Sequence, residues 1–368
     1  MFGVWLVLLA LPQARAQSPA TNQFVLVSWN VENLFDPDPD LSGADDKDFT
    51  PRGWARWTPE RYALKLAHLA EVIAAMRPDV LCLSEVENRR VLEDLSRVLR
   101  EQQHYDLPVI IHREGEDRRG IDVAMLARLA PVATNWLTPV PRQRDILMAR
   151  FEPDGRPLTL CLNHWKSWRG PAAENLRIRT AEARAARAEI VRCLAGNAAG
   201  AIAALGDFND NVDAPSLTRE AGFVPWRAAP PPPATNGAAV LYNLSGLLGA
   251  EARGTYYYGK DRVWNSFDSI SVSRGMLPGG ASTSVWQVLT NSYGPFVLPR
   301  QRDEDGRPLP FHRVRKKDAT GTLRDIYYTG YSDHFPVRVV LQALDQSGAG
   351  RQPNVRDPGA SSRSDARE

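Results

Sequence analysis

The sequence predicts an α/β protein in which mixed β-sheets are layered against helices on the outside. Three observations carry this expectation. Short apolar, β-prone runs end on polar residues, amphipathic helical stripes lie between some of them, and several strands follow one another with no helix between. A purely doubly wound parallel fold would need a helix after nearly every strand, so mixed sheets fit better.

Residues 24–29 are apolar and β-prone and stop at Asn30, which reads as a buried strand. Residues 36–58 are rich in Asp, Pro and Gly and read as a long loop. Thr58-Pro59-Glu60 then has the form of a helix start: a capping hydroxyl, a proline in the first turn and an early acid. Tyr62, Leu66, Leu69, Ile73 and Met76 recur at alternating spacings of four and three, one apolar stripe on a helix. Pro78-Asp79 ends it, and 80–84 is a short buried strand running to Glu85. Asn88 caps a second helix carrying Val91, Leu95 and Val98. Strands follow at 121–127 and 158–162, then a long Ala/Arg/Glu helix over 172–194 closed by Gly196. Residues 200–205 form a strand ending at Asp207, and 263–272 and 336–341 are late strands. The prolines of 230–233 make a rigid surface linker inside a loop.

Residues 2–11 are an apolar run followed by Ala14-Arg15-Ala16, a small-x-small cleavage pattern. We read 1–16 as a signal peptide cut near Ala16, with export to a periplasm or the medium. The run lacks a positive leading segment, and a buried N-terminal strand is the alternative. One folded unit is expected over 22–343, with a polar, disordered tail over 346–368. No later stretch has the length and apolarity of a membrane span. The three cysteines, Cys82, Cys161 and Cys193, are too few for a disulfide framework and lack zinc-site spacing, so buried free thiols are expected. A formal net charge of +2 lacks the basic excess of strong non-specific nucleic-acid binders, and it neither favours nor excludes a polyanionic substrate.

The chemistry-bearing residues fall in, at the ends of, or beside these apolar runs: Asn30, Glu85, His164, Asp207 with Asn209, Asp268, and Asp333 with His334. Strand ends let a rigid sheet present side chains to one cleft. Carboxylates with an amide suit a hard cation such as Mg²⁺, with Mn²⁺ or Ca²⁺ as alternatives. The histidines could bind phosphate oxygens or move protons. Each residue also has a plain structural reading. Asn30 could cap a loop, Glu85 could be a surface acid at a helix start, Asp207 could form a turn, and His164 could be a packed core histidine. The set together says more than any member. The arginines of 172–194 are interleaved with acids, as on a solvated, ion-paired face. Tyr256-Tyr257-Tyr258 could stack on a base or sugar, but a hairpin or buried strand is the simpler reading.

In this order, Asn30-Val31-Glu32-Asn33-Leu34-Phe35-Asp36, Glu85, Arg119-Gly120-Ile121-Asp122-Val123-Ala124, Asn163-His164-Trp165-Lys166-Ser167, Gly206-Asp207-Phe208-Asn209, Asp268 and Ser332-Asp333-His334-Phe335-Pro336 resemble the endonuclease/exonuclease/phosphatase superfamily, in particular its bacterial secreted nuclease-like branch. The resemblance implies a four-layer sandwich of two mixed sheets packed face to face with helices outside. It implies a metal site at Asn30, Glu85 and Asp333. It implies that Asp207 positions or deprotonates the attacking water, Asn209 steadies phosphate oxygens, Asp268 orients His334, His334 binds the scissile phosphate or acts as the base, and His164 serves the leaving oxygen; the resemblance leaves open which of Asp207 and His334 is the base. A phosphate-contact position falls on Arg119 or Asp122, with Lys166 and Arg169 beside His164 as further contacts. The expected partner is nucleic acid or another phosphodiester, met by a monomer with no obligate protein partner. Phosphodiesters or phosphate esters of lipid headgroups and small molecules are the alternative substrates. A further alternative is a non-catalytic binding module on the same scaffold. Lipid enzymes of this kind carry an exposed apolar hairpin. Trp54 and Trp57, or 286–293, are the candidates for one, although core or loop packing explains them more simply.

Overall fold

The computed structural model describes residues 22–39, 46–196, 200–227, 240–249, 252, 254–278 and 284–344. The predicted signal peptide, the proline run 230–233 and the tail 346–368 lie outside the described residues.

The strands are β1 (Gln23–Leu34), β2 (Val80–Val86), β3 (Val109–Ile111), β4 (Asp122–Ala127), β5 (Ala133–Leu137) and β6 (Ile146–Phe151). They continue with β7 (Leu158–His164), β8 (Ile202–Asp207), β9 (Phe223–Pro225), β10 (Leu241–Asn243), β11 (Tyr256–Tyr258) and β12 (Val263–Asn265). The last are β13 (Asp268–Val272), β14 (Trp286–Val288), β15 (Gly294–Pro295), β16 (Arg313–Lys317), β17 (Leu323–Tyr327) and β18 (Val337–Ala343). Three α-helices join them: α1 (Pro59–Met76), α2 (Arg89–Gln103) and α3 (Ala172–Gly196).

Two seven-stranded sheets form the body. The first runs β14-β18-β1-β2-β4-β3, with β15 also on β18; the second runs β5-β6-β7-β8-β13-β10-β9. Both are mixed: β1 is parallel to β2 but antiparallel to β18, and β8 is parallel to β7 but antiparallel to β13. Side-chain alternation then builds four layers. Leu26, Cys82, Met125 and Val339 of the first sheet pack with Leu147, Leu160, Leu205 and Ile270 of the second. The opposite face of the first sheet, with Val27, Leu81 and Leu126, packs on Leu66, Leu69 and Ile73 of α1 and Leu95 of α2. The outer face of the second sheet packs on Ala183, Ala186 and Ile190 of α3. Because the sheets are buried on both faces, their central strands read as continuous apolar runs rather than alternating ones.

The helix signals have the expected origins. The Thr58 hydroxyl accepts from the Arg61 N–H at 3.4 Å, and Asn88 Oδ1 accepts from the Val91 N–H at 3.1 Å. On α3, arginines pair with Glu174, Glu189 and, across to the next element, Glu220. The expected strand 263–272 is divided. Asn211 takes the Ser266 N–H and donates to Asn265 Oδ1, and the Phe208 N–H bonds the Phe267 carbonyl. These ties break the run, so β12 leaves in a hairpin with β11 while β13 enters the second sheet. All three cysteines are free, with Cys82 and Cys161 buried and Cys193 partly so. Trp57, Trp286 and Tyr293 are buried, whereas exposed Trp54 is flanked by Arg313 and Arg315. Among the described residues no helix is long and apolar enough to cross a membrane.

Candidate active site

Strand pairing sets the site. In the second sheet, His164 is in register with Asp207, and Asp207 with Asp268, so three polar residues form one row across β7, β8 and β13. In the first sheet, Asn30 on β1 is paired with Ser84 on β2, one residue before Glu85. The two sheets bring these ends together: Asn30 Nδ2 donates to Asp207 Oδ2 at 2.9 Å across 177 residues of sequence. A cleft of about 230 Å³ opens there. Its acidic floor comprises Asn30, Glu85, Asp207, Asn209, Asp333 and His334, and its wall comprises Trp168, Arg169, Tyr256, Tyr258 and Phe267.

Four residues in or beside the floor hold left-handed backbone without being glycine: Glu32 (φ 52°), Asn33 (φ 55°), Glu85 (φ 64°) and Asn209 (φ 48°). Each such residue costs on the order of 1 kcal/mol and persists only where surrounding bonds enforce it. At Glu85 the cause is a bulge, since the register with β4 slips between Ser84 and Val86; bulges re-aim side chains beside sites. Beside Asp207, Gly206 (φ 137°) is required, because a Cβ there would lie 1.9 Å from the Asn163 carbonyl oxygen.

The bend at Glu32-Asn33 is the hub. Glu85 Oε2 accepts the Asn33 N–H at 2.9 Å, and the Asn33 side chain accepts from Arg119. Glu32 Oε2 accepts the N–H groups of Phe311 and Asp333 at 2.6 and 3.0 Å, and its Oε1 meets His312 Nδ1 at 2.6 Å. The Ser332 hydroxyl donates to the Asn30 carbonyl at 2.7 Å, and Trp29 Nε1 donates to the His334 carbonyl at 2.9 Å. The segment carrying Asp333 and His334 is thus fastened to β1 at three points. Beneath it lies Lys65, fully buried, with its ammonium donating to the Tyr331 carbonyl at 2.5 Å. Burial lowers the Lys65 pKa to about 8, although the charges of Glu32, Asp333 and Glu85 oppose that fall. Burial works against ionised Glu32, yet the His312 bond and the Lys65 charge hold its carboxyl below the usual range.

Asp207 Oδ1 accepts the Asn209 N–H at 2.8 Å, while the imidazole Nε2 atoms of His164 and His334 stand 3.8 and 3.9 Å from its Oδ2. Burial pushes Asp207 up to about 6, against the pull of His334 and with the push of Asp268. His334 Nδ1 bonds Asp268 Oδ2 at 2.7 Å. Burial alone would lower the His334 pKa, but the carboxylates of Asp268, Asp207 and Asp333 outweigh it and raise it well above the usual value. His164 goes the other way: burial and the nearby Arg144, Arg119, His334 and Lys166 charges push its pKa well down.

Glu85, Asp333 and Asn30, the set the resemblance assigns to a divalent cation, line the same cleft floor. Burial, followed by the Glu32 charge and with Glu85 adding to it, pushes Asp333 up to about 7, the crowding of hard oxygen donors that a cation relieves. Asp207, Asp268 and His334 also cluster closely enough to hold an ion. There, however, the 2.7 Å bond joins the facing donor atoms of Asp268 and His334 directly, so we read that trio as a hydrogen-bonded relay.

Of the expected phosphate contacts and His164, only some reach the cleft lining. Arg119 lines the cleft, but Asp122 does not; it is buried at the start of β4, where it accepts from His112 Nε2 at 3.1 Å and from the Gly115 N–H at 3.2 Å. Lys166 also stays off the lining, since its ammonium turns back to the Arg169 carbonyl at 3.1 Å, leaving Ser167, Trp168 and Arg169 to face the cleft. His164 lies against Asp207 rather than on the lining, and its Nδ1 has no hydrogen-bond partner among the described residues. Asn209 Nδ2 donates to the Trp165 carbonyl, which Arg144 also binds.

Sequence reasoning missed Glu32, Lys65 and, of the wall, Trp168 and Phe267. Lys65 carried a signal, because it falls three residues after Tyr62 and four before Leu69, on the buried stripe of α1. Glu32 had none, since its partners lie some 280 and 300 residues away. The tyrosine run does form a hairpin strand, as the sequence suggested, yet Tyr256 and Tyr258 also line the cleft.

The profile of the Endonuclease/Exonuclease/phosphatase family matches residues 25–343. No curated protein matches the chain significantly. Among solved structures, an endonuclease/exonuclease/phosphatase family protein from Bacteroides thetaiotaomicron superposes with a TM-score of 0.51 at 17% identity, covering 88% of this chain and 99% of that one. Truncated Caenorhabditis elegans TDP2 superposes with a TM-score of 0.50 at 14% identity, covering 87% and 98%. At these identities the likeness is one of fold.

Proposed function

The chain belongs to the endonuclease/exonuclease/phosphatase family of metal-dependent phosphoester hydrolases, and from that premise we propose that it hydrolyses nucleic-acid phosphodiesters. The supporting observation is the convergence of Asn30, Glu85, Asp207, Asn209, Asp333 and His334 on one cleft that Arg119 and Arg169 also line. Such a floor suits one phosphorus atom, and the arginines suit the backbone on either side of it.

A divalent cation at Glu85, Asp333 and Asn30, Mg²⁺ being our first choice, would neutralise phosphate oxygens. Asp207, held by Asn30 and the Asn209 N–H, orients a water and takes its proton as the new P–O bond forms. A carboxyl raised towards neutrality is suited to that role. His334, locked by Asp268 with Nδ1 occupied, presents Nε2 as a cationic donor to a phosphate oxygen. The P–O bond to the leaving oxygen breaks, that oxygen takes a proton from solvent, and Asp207 returns the proton it gained to solvent. His164, neutral and behind Asp207, backs that carboxylate rather than touching the leaving oxygen.

The test is a parallel assay of plasmid DNA, RNA, sphingomyelin and a bis-aryl phosphate, each with Mg²⁺, Mn²⁺, Ca²⁺ or chelator, with His334→Ala as the blank. Metal-dependent cleavage of nucleic acid supports the reading, and inactivity on all four returns the non-catalytic module. One observation favours lipid headgroups instead: the β16–β17 hairpin exposes Leu323, Ile326 and Tyr327 beside Arg315, Lys316 and Lys317. Cleavage of sphingomyelin alone would select that alternative.

We also propose that the chain is exported and acts as a monomer, on the strength of the apolar run 2–11 and the cleavage pattern at Ala14-Arg15-Ala16. Protein recovered from outside the cytoplasm should begin near residue 17. A mature chain that keeps Met1 would defeat the export reading, and light scattering at twice the 40.9 kDa chain mass would defeat the monomer.

A further inference from the structure

The wall of the cleft is a line of rings leading away from the reacting position. Tyr256 is bridged to His334 through the backbone, and its ring lies 4.7 Å from the imidazole at 33°. Phe267 is stacked on Tyr256 at 5.3 Å and 19°, and Tyr258 continues the row at 6.5 Å and 25°. Trp168 stands edge-on to Phe267 at 5.1 Å. Phe267 is buried and backs the row, whereas Trp168 is 44% exposed and Tyr256 and Tyr258 are partly exposed. Trp168, Tyr256 and Tyr258 thus keep part of their side-chain surface in solvent beside a polar floor, and a planar ring carried by the substrate would cover it.

We propose that this row is a stacking shelf for an unpaired base next to the scissile phosphate, so that the substrate is single-stranded nucleic acid rather than intact duplex. The proposal rests on the nucleic-acid reading above and narrows it. A phosphate held by His334 is within one nucleotide of Tyr256, so the ring that reaches the shelf is the neighbouring base. In a duplex that base has both faces covered and its edge paired, and it must be pulled out before it can stack. In a single strand it is free. Arg119 and Arg169 line the same cleft, which suits a polyanion and disfavours an uncharged ring ligand. Stacking tolerates every base because each has a π-face, so no sequence preference is expected.

The experiment compares three labelled substrates with Mg²⁺: a single strand, its duplex, and the same strand with the base missing at each cleaved position. The full chain, Trp168→Ala, Tyr258→Ala and Tyr258→Phe are tested. The strand should be cut roughly tenfold or more faster than the duplex or the base-free strand. That ratio should fall towards one in Trp168→Ala and Tyr258→Ala and persist in Tyr258→Phe. Binding is read in chelator by anisotropy, where nothing is cleaved, and should show the same order. Equal cleavage of all three substrates, or a ratio untouched by the alanine variants, overturns the shelf while leaving the nuclease reading intact. Ring-dependent binding without cleavage overturns the nuclease reading and keeps the shelf.

Discussion

On the floor of the cleft, functional side chains are fixed by hydrogen bonds to backbone and to one another; on the wall they are fixed by ring contacts and left partly open. Glu85 is held by the Asn33 N–H and Asp207 by the Asn209 N–H and Asn30, while Glu32 holds the backbone N–H of Asp333. Trp168, by contrast, has one edge contact with Phe267 and nearly half its surface in solvent. Reacting groups need placement to a fraction of an ångström, whereas a stacking surface accepts a ring anywhere along its face. A floor substitution should therefore damage turnover and folding together, and a wall substitution should change selection alone.

The largest effects test the floor. His334→Ala, Asp207→Asn and Glu85→Gln should each lower kcat on a bis-aryl phosphate by at least about 10²-fold, the scale of losing one charge-stabilising group. Normal turnover in a folded variant would remove that residue from the chemistry. Next, Glu32→Gln should unfold at lower denaturant, by roughly 3 kcal/mol, because a buried charge network loses the member that faces Lys65 and His312. It should also lose turnover, since Asp333 and His334 lose their anchor. A variant with an unchanged urea midpoint would show that the hub is ornamental to the fold.

The root of the wall gives a smaller, pH-dependent effect. Glu182 on α3 accepts the Lys166 N–H at 2.8 Å, just before the loop that carries Trp168, and burial pushes its pKa up to about 7. The sign follows from proton counting. Between about 4.5 and 7 the folded chain holds the proton that the unfolded chain has released, so this group's contribution to stability falls as pH rises through that window. The penalty is complete above 7 and absent below 4.5. Glu182→Gln should therefore gain on the parent protein by up to about 3 kcal/mol at pH 8 and not at pH 4. Parallel denaturation curves at the two pH values decide it. Smallest of all, Trp168→Ala should keep its melting free energy within about 0.5 kcal/mol. A large loss would make Trp168 a structural residue and erase the contrast between floor and wall.

Much of the floor was legible in the sequence because strand ends announce themselves. Asn30, Glu85, Asp207 and His334 each border an apolar run, and a polar residue there has few structural duties. The layered fold was legible for the same reason, with helix caps at Thr58 and Asn88 adding their own signals. What stayed hidden depends on distant pairing. Nothing near Glu32 foretells that it will bind the Phe311 and Asp333 amides. Three consecutive tyrosines alternate sides only once β11 has a partner, and only the bridge to His334 turns Tyr256 towards the chemistry. Asp122 and Lys166 stand off the cleft lining, because neither motif register nor nearness to His164 in the chain fixes which way a side chain turns. Strand β4 and the Lys166–Arg169 turn direct both elsewhere.

Strand β18 pairs with β1 along its length, Gln23 to Gln342 through Ser28 to Val337, and His334 stands three residues before it begins. Among the described residues the earliest strand is thus completed by the latest, and the imidazole travels with the latest. During synthesis, Asn30, Glu85 and Asp207 all leave the ribosome well before the residue they work with. A polypeptide that stops before Asp333 lacks the imidazole that faces Asp207 and Asp268, whatever else of the cleft it carries.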